Sequence, residues 1–229
     1  FNKNGEDFIL ADDGTKSPTF KINSEVYKGT ADFTLRYMRQ QRTLFNAFLQ
    51  DSCHTHDGFT MYASSVGMPD STRVEVAGGW HDASDYLQYA TTSANATYHL
   101  LAAYRDFPAV FSDEKQANGL DGKNGIADVL DEAIWGLDWL LKMHPKPNIM
   151  FNQIADDRDH TKMRLPGQDS VYGRGHERPV YFIDGNPQQR GKFMNNTTGT
   201  SSTAAKFVGA FGLGHHLLKN QNVENANLI

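Results

Sequence analysis

The stretch that most limits what this chain can become is residues 124–145, "NGIADVLDEAIWGLDWLLKMHP". Ile126, Val129, Leu130, Ala133, Ile134, Leu137, Leu140 and Leu141 recur at offsets of three and four, which lines one face of a helix with apolar side chains. Pro145 and Pro147 end it, because proline has no amide hydrogen to donate and clashes with the preceding turn. Such a helix is stable only against other apolar surface, so it requires neighbours.

Three further segments read as helical. Asn23 or Ser24 can cap a helix over about 25–49, with Phe33, Tyr37, Leu44, Phe45 and Phe48 among its apolar residues. A second spans about 83–106 and stops at Pro108. A last one runs over about 202–219, where Ala204, Ala205, Gly209, Ala210 and Gly212 are small enough for close helix approach. Between the helices lie long polar loops, 50–81 and 148–200, with short β-like pieces such as "RPVYFID". Loops of that length in a domain are usually functional. Residues 1–22 are polar, carry the turn signal "DDGTKSP", and end in the weakly alternating "SPTFKIN", a terminal strand or linker. The expected class is mainly α, with a helical scaffold presenting a site on its loops.

Composition narrows the partners. The 229 residues carry a formal charge of −5, which argues against nucleic acid or an anionic membrane, since both recruit an excess of Lys and Arg. No apolar run approaches the roughly 18 residues of a membrane span. The opening "FNKNGEDF" lacks the pattern of a secretory signal, as expected of a mature or trimmed product or of a cytosolic protein. Fourteen Phe, nine Tyr, three Trp and nine His suit a sugar-binding cleft, where rings stack on sugar faces and polar groups meet hydroxyls. A thick core would use the same aromatics. The single cysteine, Cys53, excludes an internal disulfide.

Four constellations carry chemistry. In "GGWHDASDY", residues 78–86, Asp82 and Asp85 are three apart behind two glycines. At a helix start they can face one way and hold one water between them, one accepting its proton and the other orienting it. The plain alternative is helix capping, for which Asp is well suited. Trp80 can wall a cleft. In "DSCHTHDG", Cys53, His54 and His56, joined by His81, are ligand types for zinc, although adjacent Cys and His is not a standard finger spacing. In "DGKNGIADVLDE", Asp121, Asn124, Asp128 and Asp131 are oxygen donors of the kind calcium takes, but without the closing glutamate of an EF-hand. A glycine-rich turn with helix capping explains them as well. In "DDRDHTKMRLP" and "ERPVYF", His160, Arg178 and Tyr181 can meet sugar hydroxyls, or serve structure.

Taken together, these segments resemble glycoside hydrolase family nine, the family of many cellulases. "GGWHDASDYLQYATTSANATYHLLAAY" is similar to the family's Gly-Gly-Trp-Tyr/His-Asp-Ala-Gly-Asp motif and the helix after it. "NGIADVLDEAIWGLDWLLKMHP", "NQIADDRDH" and "TGTSSTAAKFVGAFGL" resemble later family segments in the expected order. "FKINSEVYKGTADFTLRYMRQQR" resembles the start of the catalytic domain in members that carry a preceding immunoglobulin-like domain.

The resemblance implies an α/α toroid of six hairpins and inverting hydrolysis of β-1,4-glucans such as cellulose, xyloglucan or mixed-linkage glucan. It casts residues 1–22 as the end of the preceding β-sandwich domain and 23–229 as the N-terminal portion of the toroid. Asp85 becomes the general base, Asp82 the holder of the water, and His160 a contact to the sugar beside the scissile bond, with no cofactor in the reaction. The acid glutamate of the family lies near the C-terminal end of the toroid, in the remainder of the catalytic domain beyond Ile229, so the chain by itself is expected to be inactive. Glu132 and Glu177 do not sit in that motif. Secretion, or a periplasmic or cell-surface location, follows from the same resemblance. An exo-acting glucosidase or glucosaminidase on the same fold is the rival enzyme, and an inactive glycan-binding relative the rival non-enzyme.

Three departures from the family pattern stand out. Ser84 replaces a glycine. Met163 stands where cellulases often carry a stacking tryptophan, which points to an altered subsite and a branched or mixed-linkage glucan. Where zinc-bearing members have a cysteine after Gln-Arg, this chain has Thr43 after Gln41 and Arg42. That leaves Cys53, His54 and His81, with water or His56 as the fourth ligand to a structural zinc.

Overall fold

The computed structural model describes residues 3–83, 85–160, 163–172, 177–183, 188–190, 193–195 and 199–219, the strands 188–190 and 193–195 in backbone only. Four α-helices carry the core: α1 Thr30–Gln40, α2 Ala90–Asp106, α3 Asp128–Met143 and α4 Thr200–Leu218. The apolar face read from the sequence of α3 is sealed, with Val129, Ala133, Leu137, Leu140 and Met143 at zero exposure. It meets Ala90, Ala94 and Leu101 of α2 and Phe207 and Ala210 of α4 in one cluster. Burial of that many aliphatic side chains, each worth about 1.5–3 kcal/mol, is what holds the helices together.

Close approach occurs on both sides of α2, which packs against α3 and against α4, where Ala210 is fully buried. A Cβ at Gly136 in α3 would lie 2.2 Å from Thr97 Oγ1 and 2.4 Å from the Trp80 ring, so this glycine lets α2 and Trp80 press onto α3. Along α4, Gly212 faces no atom within 4 Å and Gly209 only the Tyr98 ring at 3.7 Å.

Among the described residues, ten short strands accompany the helices: β1 Gly5–Asp7, β2 Phe20–Ile22, β3 Leu44–Asn46, β4 Asp51–Cys53, β5 Phe59–Met61, β6 Gln88–Tyr89, β7 Phe151–Ile154, β8 Pro179–Phe182, β9 Gln188–Arg190 and β10 Phe193–Asn195. Four of them make a mixed sheet in the order β5-β8-β7-β6, with β5 parallel to β8 and the other pairs antiparallel. The remaining six pair two by two, β1 with β2, β3 with β4 and β9 with β10. The strand expected at "SPTFKIN" is β2, which pairs with β1. No described helix is long and apolar enough to cross a membrane.

Two expected helices are shorter than their patterns. Helix α1 begins after Gly29, whose φ of 81° breaks the helical path, and ends at Gln40. Beyond it Arg42 bridges Trp80 and the Thr43 amide donates to the Gly79 carbonyl, so 41–43 leave the helix for a distant segment, while Leu44–Asn46 pair with Asp51–Cys53 nearby. Helix α2 begins at Ala90 rather than near residue 83. Gln88 and Tyr89 pair instead with Ile154 and Gln153, and the Asp82 amide donates to the Leu87 carbonyl, closing a loop. Asp82 and Asp85 therefore do not cap a helix.

Candidate active site

The loop 78–89 is held from three sides. Gly78 and Gly79 have φ of 130° and 75°, and a Cβ at Gly79 would lie 2.6 Å from the Trp139 ring, so glycine is needed for both conformation and space. From beneath, Arg178 donates to both oxygens of Asp57, to the Tyr86 carbonyl and to Gln88 Oε1. Gln88 in turn donates to the Gly78 carbonyl at 2.7 Å. At the front, the His81 amide donates to the Gln41 carbonyl at 2.8 Å.

On this frame Asp85 lies 3.0 Å from His160 Nε2, and His160 Nδ1 lies 3.7 Å from Asp157. The His160 side chain is half exposed, at 47%. Asp82 accepts from Thr92 Oγ1, 3.0 Å away. The same hydroxyl is 3.1 Å from the Tyr89 carbonyl, so its single proton serves one acceptor at a time. Tyr89 stands among these acids. Burial first, then the charges of Asp82, Asp85 and Asp157, push its phenol up to about 12. The phenol therefore stays protonated as a donor at neutral pH. A half-exposed imidazole and a carboxylate thus meet beside a neutral phenol that feels the charges of both Asp82 and Asp85. Such a set can bind hydroxyls and take a proton from water.

Asp157, Tyr89 and Thr92 were not singled out in the sequence. Asp157 had a signal, three residues before His160 in the quoted charged loop. Tyr89 and Thr92 had none, because their roles depend on where β6 ends.

Trp80, Arg178 and Tyr181 lie inside the protein. Each was expected at the sugar, and each is buried. Trp80 Nε1 donates to Glu132 Oε1 at 2.7 Å. Arg178, with no exposed side-chain surface, pairs with Asp57. The Tyr181 hydroxyl donates to Asp156 at 2.8 Å. Glu132 is likewise sealed, gripped by Arg42 through Nε at 3.2 Å and Nη2 at 2.8 Å. Met163 is 78% exposed. Ser84 lies outside the described residues.

The oxygen donors expected for calcium do not converge. Exposed Asp121 pairs with Lys115. Asp128 accepts from the Glu114 and Lys115 amides and pairs with Arg39 at 3.4 Å. Asn124 points its amide nitrogen, a donor, at both oxygens of Asp131. These groups pin the loop 113–125 to the start of α3, whose N-cap, Ala127, makes no side-chain cap bond.

The Cys53, His54 and His81 ligand atoms do converge, all within 4.8 Å of one another, and among the described residues they are the one His/Cys/Asp/Glu group of this kind. Sγ of Cys53 is 3.8 Å from His81 Nε2, and that nitrogen is 3.4 Å from His54 Nδ1. Burial raises the Cys53 thiol to about 12 and lowers both imidazoles, His81 strongly. Neutral imidazoles keep a lone pair free for a metal, and a metal would supply the charge that deprotonates the thiol. His54 Nε2 meets Asp169 at 3.0 Å, the carboxylate partner that ligating histidines usually have. The buried Thr43 Oγ1 has no hydrogen-bond partner. His56 is exposed, bonded to Thr55, and outside the group. Three donors thus fit a zinc ion, and the fourth position falls to no side chain of the group.

Three known proteins illustrate what this chain is similar to. A cellodextrinase from Butyrivibrio fibrisolvens is 27% identical over 166 residues, 71% of this chain and 30% of that protein. A xyloglucan-specific endo-beta-1,4-glucanase from Bacteroides ovatus is 32% identical over 158 residues, 65% of this chain and 27% of that protein. A metagenome-derived glycoside hydrolase family 9 endoglucanase superposes with a TM-score of 0.73 at 26% identity, covering 100% of this chain and 38% of that structure. The chain thus spans under a third of these two relatives. Residues 27–227 match the sequence pattern of one family along almost their whole length, with the paired aspartates, the glycine turn and α3 all inside the match: the chain belongs to glycosyl hydrolase family 9.

Proposed function

We propose that the protein is an inverting glycoside hydrolase that cleaves β-1,4-glucosidic bonds in a glucan. Asp85 is the general base and Asp82 positions the attacking water. The observation that carries this reading is the Asp85–His160 contact in a chain of this family, with Asp82 and Asp85 both acting on Tyr89. Asp85 takes a proton from water as the oxygen attacks the anomeric carbon. His160 bridges Asp85 and the sugar beside the scissile bond. A protonated carboxyl on the far side donates to the leaving oxygen, and inversion sets the two carboxyls roughly 6.5–9.5 Å apart, with room for the water.

That acid comes from the remainder of the catalytic domain, since buried, Arg-bound Glu132 cannot reach a sugar. The same remainder covers Phe33 and Tyr37 of α1 and Val208 of α4, apolar side chains left at the surface. Exposed Met163 in place of a flat ring favours a glucan whose chain is branched or mixed in linkage, in keeping with the xyloglucan specificity named for the Bacteroides ovatus relative. A zinc ion held by Cys53, His54 and His81 is structural. Residues 1–22 end a preceding β-sandwich domain, and the protein works outside the cytoplasm.

Proton NMR of the first product from the protein with its complete catalytic domain tests the reading. The α-anomer should appear first from a β-glucan, with xyloglucan or mixed-linkage glucan cleaved faster than cellulose. Initial release of the β-anomer would overturn inversion, and glucose as the sole product would make the enzyme exo-acting.

A further inference from the structure

The Cys53–His54–His81 cluster and the aspartate pair are described above as separate sites, yet a continuous set of charged contacts joins them. From the cluster, His54 Nε2 meets Asp169 Oδ2 at 3.0 Å. Arg164 then grips Asp169 through Nε at 2.7 Å and Nη2 at 3.1 Å. The same guanidinium bonds Asp159 Oδ1 and reaches the Asp159 carbonyl at 3.5 Å. Asp159 closes the turn Asp157–Asp159, and His160 follows, its amide donating to the Asp157 carbonyl at 3.3 Å. His160 then touches Asp85. Arg164 also reaches the other arm of the site. Its guanidinium lies 4.7 Å over the Tyr86 ring, the Tyr86 hydroxyl donates to its carbonyl, and Tyr86 directly follows Asp85.

Two observations make these contacts more than proximity. Asp159 is fully buried, and its Oδ2 has no hydrogen-bond partner. A buried carboxylate left short of partners is costly, so the turn that carries His160 depends on the Arg164 fork. Asp169 is bound from both sides, by His54 at Oδ2 and by Arg164 at both oxygens.

We propose that Arg164 is a positioning residue that couples the metal-ligand cluster to His160, so that a metal in the cluster firms the His160–Asp85 contact. The link is the His54 tautomer. Without a metal the His54 proton can sit on Nδ1, facing His81 Nε2 at 3.4 Å, or on Nε2, facing Asp169. Ligation through Nδ1 leaves the proton on Nε2 alone, so Asp169 always has its donor and presents a fixed pair of oxygens to Arg164. The proposal rests on the hydrolase reading only in naming Asp85 as the base.

Hydrogen exchange of backbone amides, with zinc and with a chelator, tests it without reading turnover. In the unmodified protein, zinc should slow exchange at Asp159 and His160 by about tenfold, alongside the expected slowing at Cys53 and His54. The His160 ring resonances should shift in the same titration. Arg164→Met should keep the zinc effect at Cys53 and His54 and lose it at Asp159 and His160. Should Arg164→Met not fold, Asp169→Asn serves: it keeps the Arg164–Asp159 pair and should keep basal protection of the turn while abolishing its response to zinc. The proposal falls if zinc does not bind, if the turn ignores bound zinc, or if both variants respond as the unmodified protein does. None of those results bears on the anomer released, so the hydrolase reading stands or falls separately.

Discussion

His160 Nε2 lies 3.0 Å from Asp85 Oδ2, although 75 residues separate them (160 − 85). The contact exists because β6 and β7 pair edge to edge: Asp85 precedes β6 and His160 follows β7. The proposed base needs a partner that orients it and still leaves one oxygen for water. A half-exposed imidazole on a short turn meets that need.

Asp85→Asn, in the protein with its complete catalytic domain, should lower kcat by about 10²–10⁴-fold with little change in KM, because the amide still meets His160 but cannot take a proton. Steady-state kinetics on a soluble glucan read this directly. Retained turnover would remove Asp85 from the base's role.

Thr92→Val should lower kcat by about tenfold while Thr92→Ser stays near the unmodified rate, since the lost hydroxyl donates to the charged Asp82. Equal rates for the two variants would mean that Asp82 is held without Thr92.

Trp80→Phe separates a structural indole from a sugar platform. The ring remains, but Glu132 loses the Nε1 donor while buried. Urea unfolding should show a loss of about 1–3 kcal/mol, and glucan affinity should not change. Weaker affinity at unchanged stability would return Trp80 to the cleft.

Gly79→Ala should cost on the order of 3 kcal/mol, combining a left-handed backbone with a Cβ 2.6 Å from the Trp139 ring. Thermal unfolding checks it, and a variant as stable as the parent would contradict the tight packing of this turn.

Burial, with help from Asp128, raises the Asp131 carboxyl to about 6 against the opposing Asn124 bond. The folded protein thus holds this proton more tightly than the unfolded chain, whose value is near 3.8. The stability this contributes is complete below about 3.8 and is lost as pH rises through about 6. Chemical unfolding of Asp131→Asn between these values should show a flatter pH dependence than the parent. Parallel curves would place Asp131 in a more polar setting.

Local pattern and tertiary pairing divide the account cleanly at particular residues. Helix α3 was legible because Val129, Ala133, Leu137 and Leu140 repeat at helical spacing in their own segment. The segment 83–89 has similar apolar content but ends up as loop and strand, because Gln88 and Tyr89 find partners at Ile154 and Gln153. Residues 41–43 leave α1 for the same reason, drawn to Gly79, Trp80 and His81. Partners that far along the chain leave no trace in a local window.

The site divides in the same way. Residue type marked Cys53, His54 and His81 as ligands and the two aspartates as chemistry, and the family likeness gave Asp85, Asp82 and His160 their proposed roles. Type could not say that Trp80, Arg178 and Tyr181 face inward, because an indole, a guanidinium or a phenol suits a sugar and a buried carboxylate equally. Burial decides between them: Glu132, Asp57 and Asp156 lie in the interior, and a charge without water must be met by a donor. By itself the sequence determined that helices would form at these four places and which side chains had the chemistry the proposed reaction needs. Only the tertiary structure decided which of those side chains stayed at the surface to use it, since burial and long-range pairing depend on residues far apart in the chain.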